Sequence, residues 1–193
     1  NTVNQFLFKK LPYHVEKDFA PVTQTTTAPN LLAVHPSLPV RNVKDLIALA
    51  KTRKGELTFA SAGIGSSNHL SGEQFRIMAG LDIIHVPYKG GGAAVTDLLA
   101  GQVSMYFGTT PSTVPHVRTG RLRALAVTTK MRSAGAPDLP TMQEAGVAGY
   151  EVNAWYSMHA PAGVPKAIIG KINKELVRIL DLPDIRERLK QLG

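Results

Sequence analysis

The residues whose types and spacing could do chemistry lie together in one glycine- and serine-rich turn, residues 61–67, called here the 61–67 turn. The apolar segment 57–60 before it predicts a strand, and the amphipathic run from Ser67 to about Met78 predicts a helix. The first N–H groups of such a helix have no intrahelical acceptor and lie at the positive end of its dipole. Glycines let a ligand approach the backbone, and serine hydroxyls add hydrogen bonds. The pattern predicts a site for a small anion, formed by Ser61, Ala62, Gly63, Gly65, Ser66 and Ser67.

The same turn has a plainer interpretation, in which it only connects a strand to a helix. Ser66 or Ser67 would then be an ordinary N-cap, and Gly63 and Gly65 would only turn the corner. The turn is not a nucleotide signature either. Asn68 stands where the third glycine of GxGxxG belongs, and no GK[ST] follows for a P-loop. Among anions, a carboxylate is therefore favoured over a nucleotide phosphate.

Two further turns follow predicted strands. Residues 88–92 follow the apolar segment 83–87, and residues 108–110 follow the segment 103–107. Strands that alternate with helices at this spacing predict an α/β fold with a largely parallel sheet. In such sheets ligands bind beyond the carboxyl ends of the strands, so the three turns are expected to meet in one crevice.

Four side chains around these turns are candidates for ligand contact, and three of them also have a structural interpretation. His69 could contact a ligand or bond a neighbouring backbone group, and Lys89 could pair with a second carboxylate or lie solvated at the rim. Tyr88 lies at a strand end that is expected to face the crevice. The hydroxyl of Thr109 could bind a ligand or cap the next segment.

The remaining segments give a coarse secondary structure. The sequence predicts a helix over residues 43–52 capped by Asn42, an extended segment 22–34 interrupted at Pro29-Asn30, and a short helix over 142–145. A long helix after Pro165 has an apolar stripe from Ile168 to Leu180. The change in pattern near residue 128 suggests a second lobe.

Composition narrows the class of protein. The chain has 193 residues, 44% hydrophobic and 19% charged, which is typical of a globular protein, and no run of 18 apolar residues. It has 22 Lys+Arg against 14 Asp+Glu, a net charge of +8, but the basic residues are scattered without aromatic interleaving. A nucleic-acid-binding module is therefore disfavoured. There is no cysteine, and no cofactor motif is recognised.

An enzyme is the other alternative. The sequence has no GxSxG elbow, no histidine pair at metal spacing and no paired carboxylates near the three turns. Ser66 with His69 would need a third orienting group, and the sequence offers none.

Taken together in this order, six segments resemble the TctC/Bug family, the extracytoplasmic solute receptors of tripartite tricarboxylate transporters. They are residues 18–22 (DFAPV), 35–40 (HPSLPV), 60–70 (ASAGIGSSNHL), 86–90 (VPYKG), 137–141 (PDLPT) with 144–146 (EAG), and 160–165 (APAGVP). The resemblance covers essentially the whole chain.

The resemblance implies a periplasmic-binding-protein type II fold with two α/β lobes and a cleft between them. Residues 33–126 would be the second lobe, residues 1–32 with 127–193 would be part of the first, and strands near 31–34 and 125–128 would form the hinge. The chain would begin after the family's Pro-x-Gly-Gly loop and end before its usual C-terminal helix. At the position of Gly108 many relatives carry a polar or acidic residue.

The function implied is capture of a small carboxylate in the periplasm and its delivery to the membrane subunits of a transporter. Backbone amides and hydroxyls, rather than an arginine clamp, would hold the carboxylate. A truncated or orphan receptor, acting as a sensor or without ligand, stays open as an alternative.

Overall fold

The computed structural model of the chain describes residues 3–192. Helices and strands follow one another as α1 (Asn4–Leu7), β1 (Phe19–Val34), α2 (Val43–Thr52), β2 (Thr58–Ser61), α3 (Ser67–Met78), β3 (Ile84–Pro87), α4 (Gly91–Leu99), β4 (Met105–Thr109), α5 (Thr110–Arg118), β5 (Arg123–Val127), β6 (Asn153–Pro161), α6 (Lys166–Leu180) and α7 (Pro183–Leu192). Residues 28–154 form a larger compact unit, and residues 3–27 with 155–191 form a smaller one.

The larger unit is built on a mixed sheet whose strands lie in the order β3-β2-β4-β1-β5. β2 is parallel to both β3 and β4, whereas β1 is antiparallel to both β4 and β5. Four of these five strands thus run in one direction, and the prediction of a largely parallel α/β sheet is confirmed. The carboxyl ends of β3, β2 and β4, which are neighbours, lie at the same edge.

Strand residues alternate between two buried clusters, as expected for a sheet covered on both faces. Phe59, Met105 and Phe107 belong to a cluster that includes side chains of α2 and α3. Ala60 and Tyr106, their neighbours in the chain, belong to a second cluster that includes side chains of α4. The helices that follow β2 and β3 therefore cover opposite faces of the sheet.

The smaller unit contains the first part of β1, most of β6, and the helices α1, α6 and α7. Asn173 of α6 donates to the carbonyl of Val22 at 2.8 Å, and Ala162 N–H donates to the carbonyl of Asp18 at 2.9 Å. The apolar stripe predicted for the long helix is present on α6, although none of its residues is buried. Ile168 and Ile172 on that stripe are exposed.

Two sequence-based expectations were wrong. The extended segment is not interrupted at Pro29-Asn30, because β1 continues through both residues to Val34. The register with β4 begins at Asn30, so the missing N–H of Pro29 leaves that ladder intact. The expected helix over residues 142–145 is a turn. Thr141 and Glu144 form a capping box there, but Gly146, with φ +106°, ends the turn.

Candidate functional site

The 61–67 turn leaves the carboxyl end of β2 and enters α3 at Ser67, as predicted. Gly63 and Gly65 have φ values of +131° and +81°, a region that favours glycine. Gly63 also lies against the next turn, since a Cβ there would be 3.3 Å from the carbonyl oxygen of Tyr88. The side chain of Ser66 is the N-cap of α3: its Oγ accepts from His69 N–H at 3.3 Å and donates to the Gly63 carbonyl at 2.7 Å. The plainer interpretation therefore holds for Ser66.

Three N–H groups of the 61–67 turn already have acceptors inside the protein, and that of Ser66 donates to the Gly63 carbonyl at 3.2 Å. Gly63 N–H donates to the hydroxyl of Ser61 at 3.1 Å, and Gly65 N–H donates to Nδ1 of His69 at 3.2 Å. The buried Ser61 and the half-buried His69 thus hold the backbone of the turn. These two glycines shape the turn, and their N–H groups are engaged within it.

The open donors lie one step further along, at the start of α3. Ser67 and Asn68 occupy the first two helical positions, and within residues 3–192 no acceptor is found for their N–H groups. The third position, His69, is satisfied by the N-cap. Two adjacent N–H groups at the positive end of a helix can bind an anion.

The second turn is tied to the first. Tyr88 N–H donates to the Ser61 carbonyl at 3.0 Å, and Gly90 N–H donates to the Ala62 carbonyl at 3.1 Å. Tyr88 Oη donates to Asp97 of α4 at 2.7 Å, and burial together with this carboxylate raises the pKa of Tyr88 to about 12. The hydroxyl of Tyr88 therefore serves a structural contact. Lys89 is exposed and forms no ion pair within the described part of the chain.

The third turn carries the two threonines at the junction of β4 and α5. Thr109 Oγ1 donates to Ser112 Oγ at 3.0 Å, and the Thr109 carbonyl accepts from the hydroxyls of Ser112 and Thr113, each at 2.9 Å. Thr110 Oγ1 is different, because it is buried, with the residue only 3% exposed, and has no partner within residues 3–192. A buried hydroxyl without a partner costs about 1–3 kcal/mol, which a water or a ligand oxygen would offset.

Gly108, the first residue of this turn, is required by packing. A Cβ at this position would collide with Cγ2 of Thr113 and would lie 2.6 Å from a ring carbon of Tyr106. With these neighbours the chain has no room for the polar side chain that the resemblance places here in many relatives. At Gly108 the site therefore presents backbone atoms and no side chain.

Sequence reasoning missed a buried polar network below the 61–67 turn. Asn68 Nδ2 donates to the carbonyl of Phe107 on β4 and lies 3.5 Å from Asn30 Oδ1 on β1. Asn30 in turn donates to Ser71 Oγ at 3.1 Å and, through its N–H, to Thr128 Oγ1 at 2.9 Å. The signal in the sequence was Asn68 and Ser71 three residues apart, on one face of a helix. The network fixes α3 to two strands of the sheet.

Two histidines lie beside the 61–67 turn. The ring centroids of His69 and His85 are 4.2 Å apart, and Nε2 of His85 is 2.7 Å from Ser61 Oγ. Burial lowers the pKa of His69, against a smaller opposite effect of Glu73. Burial, and then the neighbouring charge of His69, lower the pKa of His85. Both imidazoles are therefore biased toward the neutral form.

The structure brings together at one sheet edge the three turns that the sequence predicts there, and it places the start of a helix after each. α3, α4 and α5 follow the neighbouring strands β2, β3 and β4. This arrangement suits a small anion. Among the described residues there is no group of three metal-ligating side chains, and no helix is long and apolar enough to cross a membrane.

Comparison with known proteins identifies the family. The sequence model of the tripartite tricarboxylate transporter family receptor, TctC, matches residues 1–193. Protein BugT of Bordetella pertussis is 36% identical over 187 residues, 97% of this chain and 57% of its own length.

Two solved structures are similar over most of the chain. Rpa4515 of R. palustris, solved with adipate, is 38% identical with a TM-score of 0.92, over 96% of this chain and 62% of its own. MatC (Rpa3494) of Rhodopseudomonas palustris, solved with bound malate, is 35% identical with a TM-score of 0.89, over 97% of this chain and 64% of its own. The chain thus spans about three fifths of the relatives that it matches.

A third similar structure, 36% identical with a TM-score of 0.84, is the periplasmic binding protein BugD, and the family model describes a receptor and not an enzyme. The chain has the fold class of these proteins, periplasmic-binding-protein type II. The chain belongs to the TctC/Bug family of tripartite tricarboxylate transporter receptors.

Proposed function

We propose that this chain belongs to a periplasmic receptor that captures a small carboxylate and presents it to the membrane subunits of a tripartite tricarboxylate transporter. The observation that carries the proposal is the pair of open N–H groups at Ser67 and Asn68, at an edge where three helices begin. The relatives solved with adipate and with malate support a dicarboxylate as the ligand class.

The proposed site keeps every residue expected from the sequence and assigns each a role. One carboxylate oxygen is bound by the N–H groups at the start of α3, with the hydroxyl of Ser67 beside them. Lys89 is proposed to reach another ligand oxygen, and so is Thr109, whose hydroxyl would turn from Ser112 to donate to the ligand. Thr110 is added because its buried hydroxyl has no partner within residues 3–192. The remaining members shape the turns: Ser61, Ala62, Gly63, Gly65, Ser66, His69 and Tyr88.

The two-lobe division expected from the resemblance is part of this proposal. Residues 33–126 would form one lobe, and residues 1–32 with 127–193 would contribute to the other. The ligand would bind in the cleft between them, and closure about the strands near 31–34 and 125–128 would mark the loaded state.

Substitution of Ser67 tests the binding role of its N–H group. Ser67→Pro removes this donor at the first helical position, where proline is tolerated. The preceding Ser66 has φ −70° and ψ 159°, a conformation that a following proline favours. Loss of a hydrogen bond to a charged group is expected to weaken adipate binding by about tenfold to a hundredfold, measured by calorimetry.

Ser67→Ala is the matched control, because it removes the hydroxyl and keeps the N–H group. It should bind adipate more tightly than Ser67→Pro does. Equal affinities in the two variants, with both folded by circular dichroism, would contradict the proposed role of the helix start.

A further inference from the structure

The imidazole of His69 faces back onto the turn that precedes its own helix. Its Nδ1 accepts the N–H of Gly65 at 3.2 Å, which spans the 61–67 turn from its second glycine to the third residue of α3. Gly65 has φ +81° and is followed by the N-cap Ser66. The direction of the peptide between Ile64 and Gly65 is therefore tied to the position of this ring.

This hydrogen bond requires one protonation state. An imidazole nitrogen can accept a hydrogen bond only while it carries no proton, so His69 must be neutral with its proton on Nε2. Protonation at Nδ1 would place two N–H donors against each other and break the contact. The contact between His85 and the Ser61 hydroxyl can form whether or not Nε2 of His85 carries a proton, since Ser61 Oγ can donate to Nε2 or accept from it.

The surroundings of the ring define which charges act on it. On its own helix, Glu73 lies one turn further on and is paired with Arg76 at 2.7 Å. From β3, the ring of His85 lies against it at 4.2 Å between centroids, tilted by 34°, and is itself stacked on Phe59 of β2 at 4.8 Å. From the end of β2, the hydroxyl of Ser61 reaches His85. Among these neighbours, Glu73 is the negative group that raises the pKa of His69, and the charge of His69 lowers the pKa of His85.

We propose that His69 is a positioning residue, whose neutral imidazole locks the 61–67 turn through Gly65 N–H and whose protonation unlocks it. The inference deepens the proposed function and rests on it for the consequence on ligand binding: the N–H groups of Ser67 and Asn68 follow directly from this turn. Affinity for a carboxylate is thus expected to fall when His69 gains a proton, although the added positive charge alone would strengthen it. The lock itself does not depend on any ligand.

Two variants separate the acceptor from the ring. His69→Asn and His69→Ala both remove the imidazole and its ring contact with His85. Only asparagine offers an oxygen near the former position of Nδ1, and this oxygen cannot be protonated in the relevant range. His116→Gln, in the last turn of α5, is a control for loss of a histidine elsewhere.

The first test uses the full chain without ligand. The amide resonance of Gly65 and the ring nitrogens of His69 are followed by NMR from about pH 8 to about pH 5, the range in which histidine titrates. In the wild-type protein and in His116→Gln, the Gly65 amide should shift with the same midpoint as the His69 ring. In His69→Asn it should keep its neutral-pH position. A Gly65 amide that does not follow the ring, or one that exchanges with solvent equally fast in His69→Asn and His69→Ala at neutral pH, would overturn the proposal.

The second test measures adipate affinity by calorimetry over the same range. Adipate gains protons there, so the wild type is compared with His69→Asn at each pH. The wild type should lose about tenfold more affinity, as for one hydrogen bond, and His69→Ala should be weak throughout. Parallel curves for the wild type and His69→Asn would overturn the link to binding. If no carboxylate binds at any pH while the Gly65 amide follows His69, the proposed function fails and the lock stands.

Discussion

Substitution of Gly72 by alanine tests how tightly α3 is held against the sheet. Gly72 lies in the middle of α3, and a Cβ there would overlap two ring carbons of Phe59 on β2. Phe59 is fully buried, and its ring is stacked on His85 at 4.8 Å. The ring cannot swing away from a new methyl group without displacing the histidine that contacts Ser61.

The expected change in the free energy of unfolding follows from two opposing effects. Glycine to alanine in a helix interior gains about 1 kcal/mol from helix propensity. Overpacking of a well-packed core costs about 1–3 kcal/mol, and the upper end applies because the neighbouring ring is enclosed. We therefore expect Gly72→Ala to lower the free energy of unfolding by about 2 kcal/mol.

Urea denaturation followed by circular dichroism measures this difference. Gly92→Ala is the control in the same unit, since a Cβ at Gly92 meets nothing within 4 Å, and its stability should be equal to that of the wild type or higher. In a Phe59→Leu background, Gly72→Ala should cost less than in the wild type. An increase in stability from Gly72→Ala alone would show that the Phe59 ring yields to the added methyl group, contrary to this expectation.

Three further predictions concern polar side chains beside the three turns. Asp97→Asn should lower the pKa of Tyr88 from about 12 but leave it above 10, because burial, the largest cause of the raised pKa, is unchanged. Tyrosinate absorbance, with Tyr88→Phe as the reference, measures this pKa. Asn68→Ala should lower the free energy of unfolding in urea by about 1–3 kcal/mol, because a buried carbonyl loses its donor. The free energy of unfolding should fall as the pH drops through about 6.5, because His69 and His85 bind protons more readily in the unfolded chain than in the folded one. Urea titrations at several pH values measure this fall. It should level off below the pKa values of the folded state and be smaller in His69→Asn.

The strand-turn-helix units were predictable because local chemistry specifies them. Helix α3 begins and ends where its pattern predicts, at Ser67 and Met78, and α2 begins after the cap Asn42. Both signals, a capping side chain and an apolar period, are contained within the segment itself. The sheet edge that gathers the three turns followed from the same pattern by the general rule for parallel strands.

The roles of individual residues depended on partners far apart in the chain. Asn68, noted in the sequence only for failing a nucleotide motif, proves to be a tie to β4, 39 residues away. The hydroxyl of Tyr88 could not be assigned to Asp97 without the geometry of α4. The spacing of residues alone does not show whether a backbone N–H group already has an acceptor in the protein. The N–H of Gly65 has one, whereas none is found for the N–H of Ser67 within residues 3–192.

The central claim is that a carboxylate binds at the N–H groups where α3 begins. An NMR titration of the isotope-labelled chain with adipate tests it most directly, because each backbone amide reports separately. The largest shifts are expected at Ser67 and Asn68, with smaller ones at the starts of α4 and α5. Saturable binding that leaves the amides of Ser67 and Asn68 unchanged, or no binding by the folded chain, would contradict it.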